Sequence, residues 1–174
     1  MRKTVHLLLL QLFRRLPRRG RLFVVHRLYP TFSVGSMCVI ERADGAILLV
    51  RHSYRRRWGF PGGLLNRGET PVEAAHREAR EEVGLAIALV GEPAVVVDPD
   101  ARRVDVVFRA RLAAGVEPDE IVVSSPEIVG WQWFAPDALP ELQHEASGAL
   151  MAVARSSSPL TAANRPVMRR VAGA

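Results

Sequence analysis

The stretch from Gly63 to Leu85 constrains the fold most, because it predicts one helix with both of its ends marked. Thr70 is a preferred N-cap residue, and Glu73 three positions later completes a capping box. Pro71 suits the first helical position, and Gly84 is typical of a helix C-terminus. The pattern therefore predicts a helix that begins at Pro71 and ends just before Gly84.

Two sides of this predicted helix differ in chemistry. Four apolar residues recur at helical spacing and predict the face that packs on the core: Val72, Ala75, Ala79 and Val83. Glu78, Glu81 and Glu82 cluster beside that face, since positions three and four apart are neighbours on a helix. Arg77 and Arg80 are expected to project elsewhere. An acidic patch without its own cation favours a hard divalent metal ion, although a solvated acidic face is the ordinary alternative for an isolated helix.

The spacing around the helix is G-x5-E-x7-R-E-x-x-E-E-x-G followed by an apolar residue. Its fixed positions are Gly63, Glu69, Arg77, Glu78, Glu81, Glu82, Gly84 and Leu85. This pattern resembles the Nudix box, the signature of hydrolases that cleave nucleoside diphosphates linked to another moiety, and every fixed position matches. The resemblance extends to the W-G-F-P-G-G run that begins at Trp58 and the W-F-A-P-D-A-L-P run that begins at Trp133.

The resemblance implies a fold and a set of roles. The implied fold is a Nudix α/β/α sandwich with a mixed β-sheet, to which this chain adds an N-terminal helix. The implied metal ion is Mg²⁺, with Mn²⁺ as a substitute. Its implied ligands are Glu78, Glu81, Glu82 and the backbone carbonyl of Gly62. Glu69 and Arg77 are expected to pair and hold the loop on the helix, so the implied catalytic set is Glu78, Glu81, Arg77 and Glu69.

The general base is open at this point. Family members use either a box glutamate, here Glu78, or an acid from a distant loop. The acids outside the box are Glu117, Asp119, Glu120 and Glu127, and the less favoured histidines are His52, His76 and His144. Substrate contacts are expected from the segment before the box, at Arg51, Arg55, Arg57 and Trp58. For the arginines, substrate contact and plain solvation are equally favoured, and for Trp58 packing under the loop is favoured over stacking.

The P-G-G turn that leads into the box resembles that of MutT-type nucleoside triphosphate pyrophosphohydrolases. It favours a (d)NTP or an oxidised (d)NTP as substrate, cleaved to NMP and pyrophosphate. The alternatives are an ADP-ribose or nucleotide-sugar pyrophosphatase, or a non-catalytic Nudix module that senses a nucleotide. An intact box favours the enzyme.

The rest of the chain predicts one domain with flanking extensions. Strands are predicted over residues 32–41, 46–52, 86–97 with a break at Gly91–Pro93, 104–112 and 128–134, and a late helix over 144–155. We expect a basic amphipathic helical extension over 1–30, the Nudix domain over 31–155 and a loosely ordered basic tail over 156–174. One cysteine, Cys38, excludes an internal disulfide and fits a cytoplasmic protein.

Charge is distributed unevenly along the chain. Residues 1–30 carry eight Arg or Lys and residues 151–174 carry four, with no acid in either range. Residues 31–150 carry twelve basic and eighteen acidic side chains, so specific nucleic-acid binding is not expected of the central domain. The helix predicted over 3–16 is expected to dock on the domain or on the partner in a homodimer, with membrane contact as the less favoured alternative.

Overall fold

Six strands form one mixed sheet that carries helices on its two faces. The computed structural model describes residues 11–156, so the predictions for residues 1–10 and 157–174 lie outside the described residues. The strands are β1 (Ser33–Glu41), β2 (Ile47–His52), β3 (Gly62–Leu64), β4 (Ile87–Asp98), β5 (Arg103–Leu112) and β6 (Ile128–Phe134). The helices are α1 (Arg18–Leu28), α2 (Pro71–Val83) and α3 (His144–Ser156), and residues 11–15 are also helical.

The strand order is β4-β5-β1-β2-β6, with β3 paired to β1 beside this path. β1 and β5 run parallel, and the other pairs are antiparallel. β2 pairs with β1 only at the hairpin, where Glu41 faces Ile47. The glycine strand β3 instead lies against the first half of β1, from Gly35 to Met37. The mixed α/β sandwich predicted from the sequence is confirmed.

Side chains of β1 alternate between two cores, as the period of two in a strand requires. Cys38 and Ile40 belong to the cluster that also holds the buried face of α2. Met37 and Val39 belong to the cluster that holds α3. The central strand therefore anchors a helix on each face of the sheet. Burial raises the pKa of the Cys38 thiol to about 12, with further contributions from Glu82 and Glu78, so this thiol is a core residue and not a nucleophile.

Helix α2 has the ends that the sequence predicts. The Thr70 hydroxyl accepts the Glu73 amide, the Glu73 carboxylate accepts the Thr70 amide, and Gly84 caps the C-terminus with a φ of 70°. An N-cap of this type stabilises a helix by about 1 kcal/mol.

The prediction that Val72 belongs to the core face of α2 is wrong, because this residue is 46% exposed. Ala74 and Glu82, which were not assigned to that face, are buried. The first turn meets the sheet through its backbone, because the Ser36 hydroxyl donates to the Pro71 carbonyl at 2.8 Å.

Three other elements differ from the prediction. The break at Gly91–Pro93 is a register shift inside a continuous β4 and not an interruption. Strand β3 carries no periodic apolar pattern, and the sequence did not reveal it. Helix α1 lies within the helical extension predicted over 1–30, although the helix itself was predicted over 3–16. α1 buries none of its residues. Most of the helix predicted over 3–16 lies outside the described residues, so its docking stays a prediction. Within that range, no helix combines the length and apolar character needed to cross a membrane.

Candidate active site

A cavity of about 510 Å³ opens beside the N-terminal half of β1 and the glutamate side of α2. A volume of this order accommodates a small-molecule ligand. The strand β3 and α2 contribute Gly62, Gly63, Leu64, Arg77, Glu78, Glu81 and Glu82 to its lining. Segments elsewhere in the chain contribute His52, Tyr54, Arg55, Arg103, Ser125, Glu127, Gln143 and Glu145. The cavity thus joins the predicted acidic patch to side chains from four other regions.

The two glycines of β3 let the backbone and a carboxylate approach each other closely. A Cβ on Gly62 would overlap the Ser36 carbonyl and lie 2.8 Å from the Met37 Cα, so a side chain there would break the pairing of β3 with β1. A Cβ on Gly63 would overlap the carboxylate of Glu78. The pair of glycines therefore creates the space in which Glu78 lies against the strand.

Glu82 is held from two sides inside the protein. It is 5% exposed, and its carboxylate accepts the Gly62 amide at 3.0 Å. The His52 Nε2 lies 3.3 Å from the other carboxylate oxygen, and His52 is itself only 7% exposed. Gln143 follows on the far side of the imidazole, with its Nε2 at 3.5 Å from the His52 Nδ1. An imidazole with its hydrogen on Nε2 satisfies both neighbours, donating to Glu82 and accepting from Gln143.

Arg77 joins the three other glutamates of the box. Its Nε and NH2 donate to the two oxygens of Glu69 at 2.7 and 3.0 Å. Its NH1 donates to Glu78 at 2.8 Å and to Glu81 at 3.1 Å. The expectation that Arg77 projects away from the acidic patch is therefore wrong. The long side chain turns back towards positions one and four residues later, where the unbalanced negative charge lies.

These contacts shift the acidities of the site in opposite directions. Burial raises the pKa of Glu78, with contributions from Glu82 and Glu81, and the contacts with Arg77 only partly offset that rise. The hydrogen bonds from Arg77 lower the pKa of Glu69, and the same contact is the main cause of the raised pKa of Arg77. Glu69 and Arg77 are thus a fixed ion pair, whereas Glu78 is the box glutamate that takes up a proton more readily than an ordinary glutamate.

A second charged group reaches the cavity from outside the predicted motif. The Nε of Arg103 lies 2.8 and 2.9 Å from the two carboxylate oxygens of Asp105, which is 5% exposed. A Cβ on Gly35 would overlap the Asp105 carboxylate and lie 2.9 Å from the Arg103 NH2. The buried aspartate and the missing side chain together hold the guanidinium at the cavity.

Arg55 is the other arginine of this group, and its NH1 donates to Glu145 at 3.2 Å. Burial acts to raise the pKa of Glu145, but a backbone hydrogen bond and the charges of Arg55 and Arg103 outweigh it, so that pKa is lowered. The carboxylate therefore stays ionised between two cations. The cavity presents acids on the α2 side and these two arginines elsewhere in its lining.

The family model described as NUDIX domain matches residues 31–153. The chain belongs to the NUDIX family. A MutT-like protein of Streptomyces ambofaciens is 32% identical over 116 residues, which cover 67% of this chain and 72% of the relative. The crystal structure of a MutT NUDIX hydrolase from Burkholderia pseudomallei is 30% identical with a TM-score of 0.56, covering 71% of this chain and 99% of that one.

An ADP-ribose pyrophosphatase from Streptococcus suis is also similar, at 26% identity and a TM-score of 0.59, covering 74% of this chain and 95% of that one. Nudix family members are pyrophosphohydrolases that act on phosphorus-containing anhydrides, and this chain is a Nudix hydrolase of nucleoside diphosphate derivatives.

Of the residues predicted to contact substrate before the Nudix box, only Arg55 lines the cavity. Arg57 pairs with Glu141 at 2.6 Å. Trp58 packs edge-on against Phe134 with ring centroids 5.1 Å apart, as its favoured packing role predicts. The guanidinium of Arg51 lies 5.9 Å from the Trp58 ring. These three side chains thus contact other parts of the domain and do not line the cavity.

Among the candidates for the base outside the box, Glu127 lines the cavity, and the Tyr54 hydroxyl donates to it at 3.4 Å. The others do not line it: Glu117, Asp119, Glu120, His76 and His144. His52 reaches the cavity, but it is engaged with Glu82 and Gln143. No motif marked His52 or Arg103 in the sequence. The available signal for Arg103 was an arginine at the start of an apolar strand, two residues before an aspartate.

Within residues 11–156, no group of three or more His, Cys, Asp or Glu side chains stands in an arrangement that holds a metal ion as it is. The reason is visible at Arg77, whose NH1 occupies the position between Glu78 and Glu81. The oxygen ligands are of the kind that Mg²⁺ prefers, and the single charge of the guanidinium, shared with Glu69, offsets only part of their negative charge. Nε and NH2 hold Arg77 on Glu69 independently of NH1, so the two carboxylates can exchange one cation for another.

Gly63→Ala tests the close approach of β3 to Glu78. The added methyl group displaces a carboxylate at the end of a flexible side chain, so we expect an unchanged melting temperature but Mn²⁺ affinity weakened about tenfold, measured by electron paramagnetic resonance of free Mn²⁺. Gly130→Ala is the matched control, because a Cβ at that strand position meets nothing within 4 Å. Wild-type Mn²⁺ affinity in Gly63→Ala would contradict the role given to this glycine.

Proposed function

We propose that this chain is a Mg²⁺-dependent pyrophosphohydrolase that cleaves a (d)NTP or an oxidised (d)NTP to NMP and pyrophosphate. The observation that carries the proposal is that one cavity brings together three box carboxylates and two arginines from outside the box. Carboxylates hold a hard cation, and arginines bind phosphate oxygens. Binding and cleavage of a diphosphate bridge need both the cation and the arginines.

The proposed metal ligands are Glu78, Glu81 and Glu82 with the carbonyl of Gly62, and Mn²⁺ is expected to substitute for Mg²⁺. A bound divalent cation would neutralise charge on the diphosphate and lower the pKa of a water molecule. Glu82 is the most firmly placed of the ligands, because His52 and the Gly62 amide fix both of its oxygens. Glu81 is the most exposed of the ligands, with a side chain that is 58% exposed.

We also assign roles in positioning and proton transfer within the box. Glu69 and Arg77 hold the loop on the helix, since Arg77 also donates to the Leu64 carbonyl at 3.2 Å. Glu78, besides its proposed place among the ligands, is our first candidate for the general base, because burial raises its pKa and a carboxylate with a raised pKa accepts a proton more readily. Glu127 is the second candidate, as the one acid from the loop before β6 that reaches the cavity.

Arg103 and Arg55 are the proposed contacts for the anionic part of the substrate. Arg103 is expected to be the stronger phosphate contact of the two. Asp105 accepts from its Nε, and this bond fixes the orientation of the guanidinium. A preoriented fork loses little conformational entropy when it binds phosphate. Arg55 is shared with Glu145, so its charge is partly balanced.

The nucleoside triphosphate is favoured by similarity to the MutT-like protein and to the MutT NUDIX hydrolase structure. Similarity to the ADP-ribose pyrophosphatase supports the alternative, an ADP-ribose or nucleotide-sugar substrate. Both substrates place a diphosphate between a nucleoside and a second group, so the box chemistry is the same for each. A non-catalytic sensing module is disfavoured by the presence of every box residue.

Product analysis with Mg²⁺ distinguishes these substrates. Purified protein is incubated with dNTPs, oxidised dGTP, ADP-ribose and a nucleotide sugar, and the products are separated by ion-exchange chromatography. We expect pyrophosphate and a nucleoside monophosphate, and loss of turnover by about 100-fold or more in Glu81→Gln and Glu82→Gln, because the charge that holds the cation is reduced.

The fold of both variants is checked by circular dichroism, and Glu92→Gln, an exposed glutamate on β4 that does not line the cavity, is the matched control. AMP and a sugar phosphate as the sole products would show that the substrate is ADP-ribose or a nucleotide sugar. Near-normal turnover in both box variants would contradict the mechanism. Nucleotide binding without turnover on any substrate would favour the sensing module.

Arg103→Lys tests the proposed phosphate contact. Lysine keeps the charge beside Asp105 but lacks the planar fork, so we expect KM to rise about tenfold with kcat little changed. Arg109→Lys is the matched control, because Arg109 lies on the same strand and pairs with Glu41 without lining the cavity. An unchanged KM in Arg103→Lys, or an equal rise in both variants, would contradict the assignment.

A further inference from the structure

The segment before the domain, residues 11–32, is charged with one sign. It contains six arginines and neither aspartate nor glutamate: Arg14, Arg15, Arg18, Arg19, Arg21 and Arg27. None of these arginines forms an ion pair with another residue in the range 11–156. Residues 1–10 continue the composition in sequence, with Arg2, Lys3, four leucines and no acid. The positive charge of this N-terminal segment is therefore not balanced by the described part of the chain.

The same segment exposes large apolar side chains. Phe23 is 71% exposed, Leu28 72% and Tyr29 68%, and helix α1 buries no residue at all. Leu12, Leu22, Val25 and Phe32 are exposed as well. Single exposed apolar residues are ordinary, but seven within 22 residues mark a surface that binds something. That partner must accept both apolar side chains and arginine.

Charge decides between the partners. A second copy of this segment would bring six more arginines and no acid, so like charges would face each other. A nucleic acid would match the arginines, but it would leave the aliphatic side chains of Leu12, Leu22 and Leu28 in water. An anionic lipid surface offers phosphate groups at the level of the headgroups and hydrocarbon just beneath them, so it satisfies both kinds of side chain.

The arrangement on α1 suits an interface of this kind. Leu22, Val25 and Leu28 recur every three residues and fall within about 120° of the helix circumference. Arg18 and Arg21 lie among them, and the apolar stem of arginine can lie along hydrocarbon while its guanidinium stays among the headgroups. None of the segment's residues lines the catalytic cavity, so docking on a membrane leaves the cavity accessible.

We propose that residues 11–32 bind the protein to the surface of membranes rich in anionic lipid. The segment lies on the bilayer, with its arginines at the phosphates and the side chains of Leu22, Val25 and Leu28 inserted beneath them. This proposal is independent of the substrate of the Nudix site, because it depends on no residue of the cavity.

Sedimentation of the full chain with vesicles tests the proposal. We expect binding to phosphatidylglycerol vesicles at low salt, loss of binding at high salt through screening, and no binding to pure phosphatidylcholine vesicles. Leu22→Ser/Leu28→Ser removes inserted apolar surface and should weaken binding about tenfold or more. Val95→Ser/Val97→Ser is the matched control, because these two side chains on β4 are 59% and 55% exposed on the domain. Hydrolysis of nucleotide in solution should be the same in all three proteins.

Three results would overturn the proposal. One is equal sedimentation with neutral and anionic vesicles, or with none. Another is equal weakening by the control pair. The last is an oligomer that dissociates in Leu22→Ser/Leu28→Ser, or RNA binding that exceeds vesicle binding, either of which would assign the segment to a different partner. Loss of nucleotide hydrolysis in Leu22→Ser/Leu28→Ser with intact vesicle binding would contradict the separation of the segment from the cavity.

Discussion

The site depends on how the negative charge of the box is balanced. Glu69, Glu78 and Glu81 meet at a single guanidinium, and Arg77 divides its donors between them. Two of its nitrogens belong to Glu69, which is not a proposed ligand, and the third spans two carboxylates that are. The arginine therefore keeps the loop on the helix while it stands in for the cation. Glu82 is separate from this network and is balanced by the Gly62 amide and His52.

The sheet positions the charged groups that take part in this balance. β1 binds β3 on one edge and β5 on the other, and each contact places a charged group. Gly62 and Gly63 bring the backbone of β3 against β1 and leave room for Glu78. Gly35, on β1 itself, leaves room for the pair of Arg103 and Asp105 from β5. A parallel strand and a glycine strand beside one central strand thus bring acids and arginines to one cavity.

Local signals in the sequence were sufficient for much of this structure. The caps at Thr70 and Gly84 and the runs of strand-forming residues in β1, β5 and β6 are properties of neighbouring residues, so the helix and strands followed from them. The direction of the Arg77 side chain did not follow from local signals, because three carboxylates at different spacings compete for one long side chain. His52 and Arg103 could not be found from local pattern either, since their partners Glu82, Gln143 and the cavity are brought near by the fold. Helix α1 mixes arginine and apolar residues on every side, which hides it from any test of periodicity.

Anomalous diffraction from a crystal equilibrated with Mn²⁺ tests the central claim, that one cation replaces another at the box. We predict a Mn²⁺ peak among the carboxylates of Glu78, Glu81 and Glu82, with Arg77 still bonded to Glu69 through Nε and NH2 and released from the other two. A cavity without a Mn²⁺ peak, in which the NH1 of Arg77 remains between Glu78 and Glu81 at saturating metal, would contradict it.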